Sequence, residues 1–260
     1  MWRTVLIICL TLTVFGCNGD DNPVQPTPTS FKVRIENASA VFDFLTSGVF
    51  NMPVGAASPG PIGPGGAYEF TFDAGLGSRL SFVSMFVPSN DLFFAPDENG
   101  IALFNGDRTP VNGDVTSQIE LWDAGTEENQ EPGVGQDQVQ RQSGPNTGAS
   151  DSNNSVRLVN DGFSYPSVSD VIKVTITANS ETNFTVRIEN VSTGTTLQPS
   201  DGSMQAVPLS PGVWVVHTEA EPLFTSGQSD RDEGLEAIAE DGNPSSLGGV
   251  LSAETGLTVP

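Results

Sequence analysis

The amino-acid sequence predicts an all-β protein, an antiparallel β-sandwich with one short C-terminal helix. Three observations support this fold class. The 260 residues include 28 Gly and 19 Pro, so turns are frequent and long helices are disfavoured. Stretches in which apolar and polar residues alternate recur at short intervals, as expected of half-buried strands. Fifteen Phe, together with many Val and Ile, supply enough apolar volume for a sizeable core.

The strand candidates begin with a repeated segment. FKVRIENAS at 31–39 returns as FTVRIENVS at 184–192, and the two copies differ at only two positions. In each copy Phe, Val and Ile alternate with polar residues. Further strands are predicted at 68–72, 80–87, 117–122, 156–159, 171–177 and 212–219. Residues 125–154 are rich in Gly, Gln, Asn and Ser and therefore predict a long loop.

One helix is predicted after the last strand. Leu235, Ile238 and Ala239 lie at helical spacing among acidic residues. Asp230 is the predicted N-cap of this helix, and Gly242 is its predicted C-terminal stop.

The first seventeen residues predict export and lipid anchoring. One Arg precedes an apolar run at 5–15, which is too short to span a bilayer as a permanent helix. The run ends in Gly16-Cys17, which resembles the lipobox of bacterial lipoproteins. This resemblance implies a signal peptide at 1–16 and a lipidated Cys17 that holds the protein at the cell envelope. An ordinary secretory signal that contains Cys is the alternative. Residues 17–30 are polar and Pro-rich and predict a flexible tether.

Charge and cysteine content exclude several functional classes. The chain has 32 Asp and Glu against 10 Lys and Arg, which disfavours nucleic acid as a partner because phosphate contacts need clustered basic residues. An acidic surface is compatible with divalent cations, with high salt or simply with solubility. Both cysteines, Cys9 and Cys17, lie in the N-terminal segment, so the mature domain has no thiol for a disulfide, a nucleophile or a soft-metal site.

Three stretches resemble the spondin N-terminal domain family. LSFVSMFVPSNDLFF at 80–94 and LWDAGTEEN at 121–129 are similar to a paired strand end and acidic loop of that family. PLFTSGQSDRDEGLEAIAEDGNP at 222–244 is similar to its helical segment. The resemblance implies a C2-like β-sandwich that binds Ca²⁺ and takes part in adhesion. It also implies the metal ligands, which fall on Asp91, Asp123 and Glu127; the family often has Asp at the last of these positions.

The order of elements departs from the family pattern, in which the helix lies between the first strand and the PSND stretch. Here the first repeat lacks that helix, and the second repeat is followed by no PSND or DAGTE stretch. We therefore predict a calcium-binding sandwich over 31–180 and a partial second repeat with the helix over 181–260. The alternative is that both pieces pack as one unit.

The residue chemistry is also consistent with calcium, which takes six to eight hard oxygen ligands. Asp91 ends a strand candidate, Asp123 follows another, and Gly125 lets the chain bend so that Glu127 returns toward Asp123. Three carboxylates this close would raise each other's pKa values, and a divalent cation relieves that repulsion. The alternative is that these three are solvated turn residues. For three other acids nearby, Asp97, Glu128 and Glu131, we expect solvation rather than metal binding.

The sequence thus predicts a non-enzymatic, lipid-anchored envelope protein that binds calcium and an unidentified protein or glycan at the cell surface. One alternative is a hydrolase or carbohydrate-active enzyme, which requires paired carboxylates in a cleft. A second is a structural envelope protein whose carboxylates only keep the surface hydrated. His217, the only His, shares a strand face with Val213 and Val215, which predicts a structural role.

Overall fold

A computed structural model describes residues 30–34 and 44–255 of the chain. Its contacts divide the chain into two units, Met1–Ala40 and Val41–Pro260. In the first unit, residues 30–34 are exposed and belong to no strand, so the strand prediction is wrong for this part of the first repeat. The predicted signal peptide, Cys17 and the tether up to residue 29 lie outside the described residues. Within the described ranges, no helix has the length and apolar character needed to cross a bilayer.

The second unit consists of two antiparallel sheets followed by two short helices, which confirms the predicted sandwich. The strands are β1 (Phe44–Phe50), β2 (Ala67–Asp73), β3 (Arg79–Phe86), β4 (Leu92–Pro96), β5 (Ile101–Ala102), β6 (Gly113–Asp114), β7 (Ile119–Asp123), β8 (Arg157–Leu158), β9 (Ile172–Ala178), β10 (Asn183–Asn190) and β11 (Leu209–His217). The helices are α1 (Leu235–Asp241) and α2 (Ser245–Glu254).

The strands from the two halves of the sequence are interleaved. The first sheet has the order β1-β11-β3-β4-β7-β8, with β5 also paired to β3, and the second has the order β2-β10-β9-β6. β10, the second repeat, pairs with β2 and β9 along its whole length, and β11 lies between β1 and β3. A boundary near residue 180 therefore does not separate two domains. Both pieces form one unit, because the late strands occupy central positions in both sheets.

The main core lies between the sheets, where the predicted alternation places the apolar side chains. In β10, Phe184, Val186 and Ile188 are fully buried, and the residues between them are half-buried. Trp214 of β11 stacks on Phe70 of β2 with ring centroids 5.0 Å apart and an interplanar angle of 6°. Burial of such side chains is the dominant stabilising contribution, about 25 cal/mol per Å² of apolar surface.

A second apolar cluster covers the outer face of the first sheet. Val83, Phe93 and Val213 project from that face and pack with Leu235 and Leu247 of the two helices. Successive residues of β3 and β4 therefore contribute to different clusters, and both strands are buried on both faces. The helices thus form a third layer over the first sheet.

Helix α1 begins at Leu235, not after Asp230, so the predicted N-cap is wrong. Gly234 occupies the N-cap position with a φ of 109°, a left-handed conformation that favours glycine. The predicted stop is confirmed: Gly242 has a φ of 65°, and its N–H donates to the Ile238 carbonyl at 2.9 Å. Helix α2 was not predicted. Its two glycines lower helix propensity, and only Leu247 and Leu251 are buried.

Candidate metal centre

The three predicted ligands lie at one end of the first sheet. Asp91 immediately precedes β4, and Asp123 is the last residue of β7. Because these strands are antiparallel, with Leu92 opposite Asp123, the start of one lies beside the end of the other. The exposed fraction is 0% for Asp91, 0% for Asp123 and 4% for Glu127. The three side chains are therefore not solvated turn residues.

The turn before β4 connects Asp91 to the loop after β7. The Ser89 hydroxyl accepts the N–H of Leu92 at 3.1 Å, which closes the turn. Asn90 donates with Nδ2 to Glu127 Oε2 at 3.2 Å. Both Ser89 and Asn90 are 1% exposed, so this connection is shielded from solvent. The PSND and DAGTE stretches thus form one buried polar network.

Asp91 holds the loop after β7 through one of its two carboxylate oxygens. Oδ2 accepts the Thr126 N–H at 2.8 Å, the Thr126 hydroxyl at 3.1 Å and the Glu127 N–H at 3.1 Å. The loop turns at Gly125, which has a φ of 74° and donates its N–H to Asp123 Oδ1 at 2.7 Å. Asp91 therefore positions the backbone that carries Glu127.

The other oxygen, Asp91 Oδ1, is buried and has no hydrogen-bond partner among the described residues. Burial is the main cause that raises the pKa of Asp91, while the N–H groups of Glu127 and Thr126 lower it and the charge of Glu127 raises it. A buried acceptor without a partner costs about 1–3 kcal/mol, and more when it is charged. A hard cation bound at this oxygen would remove that cost.

Asp123 is already paired with a basic side chain. Arg157 Nη2 lies 2.6 Å from Asp123 Oδ2, and Asn129 donates to the same oxygen at 2.7 Å. Burial and then the charge of Asp91 raise the pKa of Asp123 to about 7, although Arg157 and the hydrogen bonds oppose this shift. A metal ion at Asp123 would thus share the carboxylate with Arg157.

Glu127 is anchored by the long loop that follows it. Its Oε1 accepts the Gly148 N–H at 2.7 Å, and its backbone forms an isolated β-bridge with Ser150. Residues 125–154 form no strand or helix, which confirms the predicted loop. Part of the loop is buried, however: Gln138 is fully enclosed and accepts the Gly133 N–H at 3.0 Å.

A fourth buried carboxylate was not identified from the sequence. Glu240 of α1 is 2% exposed, and its Oε1 lies 2.8 Å from the Thr126 hydroxyl. Burial raises the pKa of Glu240 to about 8; the bond from Thr126 opposes this, and the charges of Glu127, Glu236 and Asp91 add to it. Glu236 and Glu240 lie on one helical face because they are four residues apart, but only the tertiary fold places that face beside Thr126.

A second acidic group consists of residues of α1 and of the segment before it. Within the described residues, one set of three acids, Asp230, Asp232 and Glu236, has oxygen atoms that all lie within 4.8 Å of one another. The predicted ligands Asp91, Asp123 and Glu127 are not that close together. Asn146 connects the two regions, because its amide, oriented with Nδ2 toward the carboxylates, donates to Glu240 Oε2 at 3.0 Å and also to Glu236.

Glu120 lies elsewhere, although it is only three residues before Asp123. It lines a surface cavity of about 270 Å³ together with Arg79 and Asp97. Burial and then the charge of Asp97 raise the pKa of Glu120. The acids of the 119–135 stretch therefore belong to different environments, and Glu128, as predicted, is exposed.

His217 is buried inside the fold. It is fully buried, and its Nε2 lies 2.9 Å from the Ser81 hydroxyl, while Nδ1 contacts the Glu219 carbonyl. Burial lowers the pKa of His217, so the imidazole is neutral at pH 7. Val213, Val215 and His217 are alternate residues of β11 and are all buried, which is consistent with the predicted structural role.

No protein-family model, curated protein or solved structure matches the chain. The resemblance to the spondin N-terminal domain therefore stays a prediction from the sequence.

Proposed function

We propose that the protein is an exported, lipid-anchored envelope protein whose β-sandwich binds Ca²⁺ and presents loops for adhesion or partner binding. The calcium ligands are Asp91, Asp123 and Glu127. The lipid anchor is Cys17, which follows the apolar run and Gly16. The partner is a protein or a glycan at the surface of a bacterial cell.

The observation that carries the calcium proposal is the unpartnered Oδ1 of Asp91. A carboxylate that is 0% exposed, and that has two further buried carboxylates beside it, is stable in its charged form only with a compensating positive charge. Arg157 compensates Asp123. Calcium would compensate the remaining charge and would supply a positive centre for oxygen ligands.

The donor set fits calcium in kind, and one ligand is shared. All three side chains offer hard oxygens, and the loop backbone next to them offers carbonyl groups. Asp123 would keep Arg157 on one oxygen and contribute the other. Binding would hold the turn before β4 and the loop after β7 together, so partner binding by these loops would depend on calcium.

Asp91→Asn is expected to weaken calcium binding at least tenfold, because it removes the charge of the central ligand and keeps its shape. Isothermal titration calorimetry of the protein from residue 30 measures this. Extracellular calcium modules have a Kd of about 10⁻⁴–10⁻³ M, so titration should extend to about 10 mM. At that concentration the wild type should gain about 1.4–2.7 kcal/mol of stability.

The matched control is Asp170→Asn, which removes the same charge at an exposed position. It should bind calcium as the wild type does. If the wild type takes up no calcium over this range, or if Asp91→Asn binds it equally well, the proposed function is wrong.

One observation favours a hydrolytic alternative, namely the carboxylates Asp97 and Glu120 in a single cavity. Paired carboxylates flanking a scissile bond are what glycoside hydrolysis requires. If this alternative holds, a panel of chromogenic glycosides should reveal an activity that Glu120→Gln reduces at least a hundredfold. The leading proposal expects no hydrolysis of the panel by either protein.

A further inference from the structure

Helix α1 presents an acidic side chain on its packed face. Leu235, Ile238 and Ala239 are buried against the outer face of the first sheet, as the amphipathic pattern requires. Glu240 is buried with them and is only 2% exposed. A buried carboxylate weakens helix packing unless its charge is compensated, so its position needs an explanation beyond packing.

Glu240 and Asp91 contact the same hydroxyl group. The Thr126 Oγ1 lies 2.8 Å from Glu240 Oε1 and 3.1 Å from Asp91 Oδ2. A threonine hydroxyl has one hydrogen and can donate to one carboxylate at a time. When the hydroxyl donates to Glu240, Asp91 Oδ2 keeps the backbone N–H groups of Thr126 and Glu127. When it donates to Asp91 in the absence of a cation, Glu240 Oε1 must carry a proton of its own or lose its donor.

The charged groups that act on Glu240 are all acidic. They are Glu127, Glu236 and Asp91, and the polar contacts of Glu240 come from Thr126 and Asn146. Arg157, which is paired with Asp123, is also engaged by Asp151. Within the described part of the chain, no basic side chain forms an ion pair with Glu240 to compensate its charge.

The unpartnered Oδ1 of the fully buried Asp91 independently indicates a missing ligand at this cluster. Calcium takes six to eight oxygens, and three carboxylates rarely supply them alone. We propose that Glu240 is a fourth carboxylate ligand of the calcium site, so that metal binding fastens α1 to the loop at 123–127. This inference rests on the proposed function.

The consequence is a coupling between distant parts of the chain. Thr126 and Glu240 are 114 positions apart in sequence, and α1 contacts β3 and β4 next to the metal ligands. Calcium would therefore stabilise the docking of the C-terminal helical layer, as well as ordering the loops. Local opening of α1 should become rarer when calcium is bound.

Amide hydrogen exchange of the α1 peptide, measured by mass spectrometry in calcium-free buffer and in 10 mM CaCl₂, tests this coupling. In the wild type we expect calcium to slow exchange in α1 at least several-fold. In Glu240→Gln we expect calcium to bind at least fivefold more weakly and to slow exchange in α1 by much less. The control Glu254→Gln, an exposed site on α2, should behave as the wild type.

A merely structural role for Glu240 makes a different prediction. It requires Glu240→Gln to lose stability in calcium-free buffer, whereas replacement of a buried carboxyl group that no basic group compensates should leave stability unchanged or raise it. Should Glu240→Gln fail to fold, Glu240→Asp tests the ligand role instead. The Asp side chain is shorter by one methylene group, so its oxygens are withdrawn from the site and the calcium affinity of this variant should fall. An unchanged affinity in the variant that folds overturns the inference.

The two proposals fail in different ways. If the wild type binds no calcium, both the proposed function and the coupling of calcium binding to α1 are wrong. If the wild type binds calcium through Asp91, but Glu240→Gln binds it equally well and α1 is equally protected, only the coupling is wrong.

Discussion

In calcium-free buffer the melting temperature of the protein is expected to fall as the pH rises from about 5 to about 8. The folded state keeps protons on buried carboxylates that the unfolded chain releases, since the pKa is raised to about 7 for Asp123 and to about 8 for Glu240. Their contribution to stability is present below the unfolded values and is lost as the pH rises through the folded values. For Asp123 alone, a rise from 3.8 to about 7 corresponds to a loss on the order of 4 kcal/mol.

Differential scanning calorimetry after treatment with a chelating resin measures this dependence. Below about pH 4 the trend should reverse, because hydrogen bonds from neighbouring residues lower the pKa of Asp107, Asp114 and Asp201 from 3.8, and these carboxylates lose their stabilising charge as the pH falls below that value. Saturating calcium should remove the decline, since the cation stabilises the ionised carboxylates. Asp123→Asn should flatten it without calcium. A melting temperature that is constant or rises from pH 5 to pH 8 without calcium would contradict the account.

Gly125→Ala is expected to destabilise the protein by about 2–5 kcal/mol. A left-handed backbone conformation costs a non-glycine residue about 1–2 kcal/mol, and overpacking costs about 1–3 kcal/mol. Gly125 has a φ of 74°, and a Cβ there would lie 2.6 Å from the backbone nitrogen and oxygen of Ser155. Calcium binding should weaken as well, because Gly125 positions the chain between Asp123 and Thr126.

The matched control is Gly55→Ala. Gly55 has a φ of 79°, but nothing within the described part of the chain lies within 4 Å of a Cβ placed there. This variant should lose only the conformational part, about 1–2 kcal/mol. Equal losses in the two variants, measured by urea unfolding, would show that the close approach of Ser155 contributes nothing.

The strands that bury only one face could be predicted from the sequence, because their apolar and polar residues alternate. β10 is the clearest case, since its burial alternates along its length. β4 was not predicted, because all of its residues are buried and the LFFAP stretch therefore has no alternation. β1 was also not identified: its residues between Phe44 and Phe50 are half-buried or exposed and show no strict alternation.

The number of domains could not be read from the repeat. Two nearly identical segments suggested two similar units, but the described part of the first, residues 31–34, belongs to no strand. The second segment contains β10, which lies inside the sheet that begins with β2. Strand order depends on long-range pairing, which a local sequence pattern does not encode.

The candidate site was predictable in part. Asp91, Asp123 and Glu127 follow from two short stretches that end or follow strands, and the antiparallel pairing of β4 and β7 brings two of them to one end of the sheet. Glu240 and Arg157 could not be found in this way. Their roles depend on how α1 and β8 pack against the rest of the unit. The resemblance of the 222–244 stretch predicts a helix there, but it does not place Glu240 beside Thr126.

The most direct test of the calcium site is a crystal structure grown in about 10 mM CaCl₂, with an anomalous difference map collected at long wavelength. We expect an anomalous peak about 2.3–2.6 Å from Asp91 Oδ1, with oxygens of Asp123, Glu127 and Glu240 around it. If the map shows no peak at Asp91, and Oδ1 contacts only protein or water, Asp91 is not a calcium ligand.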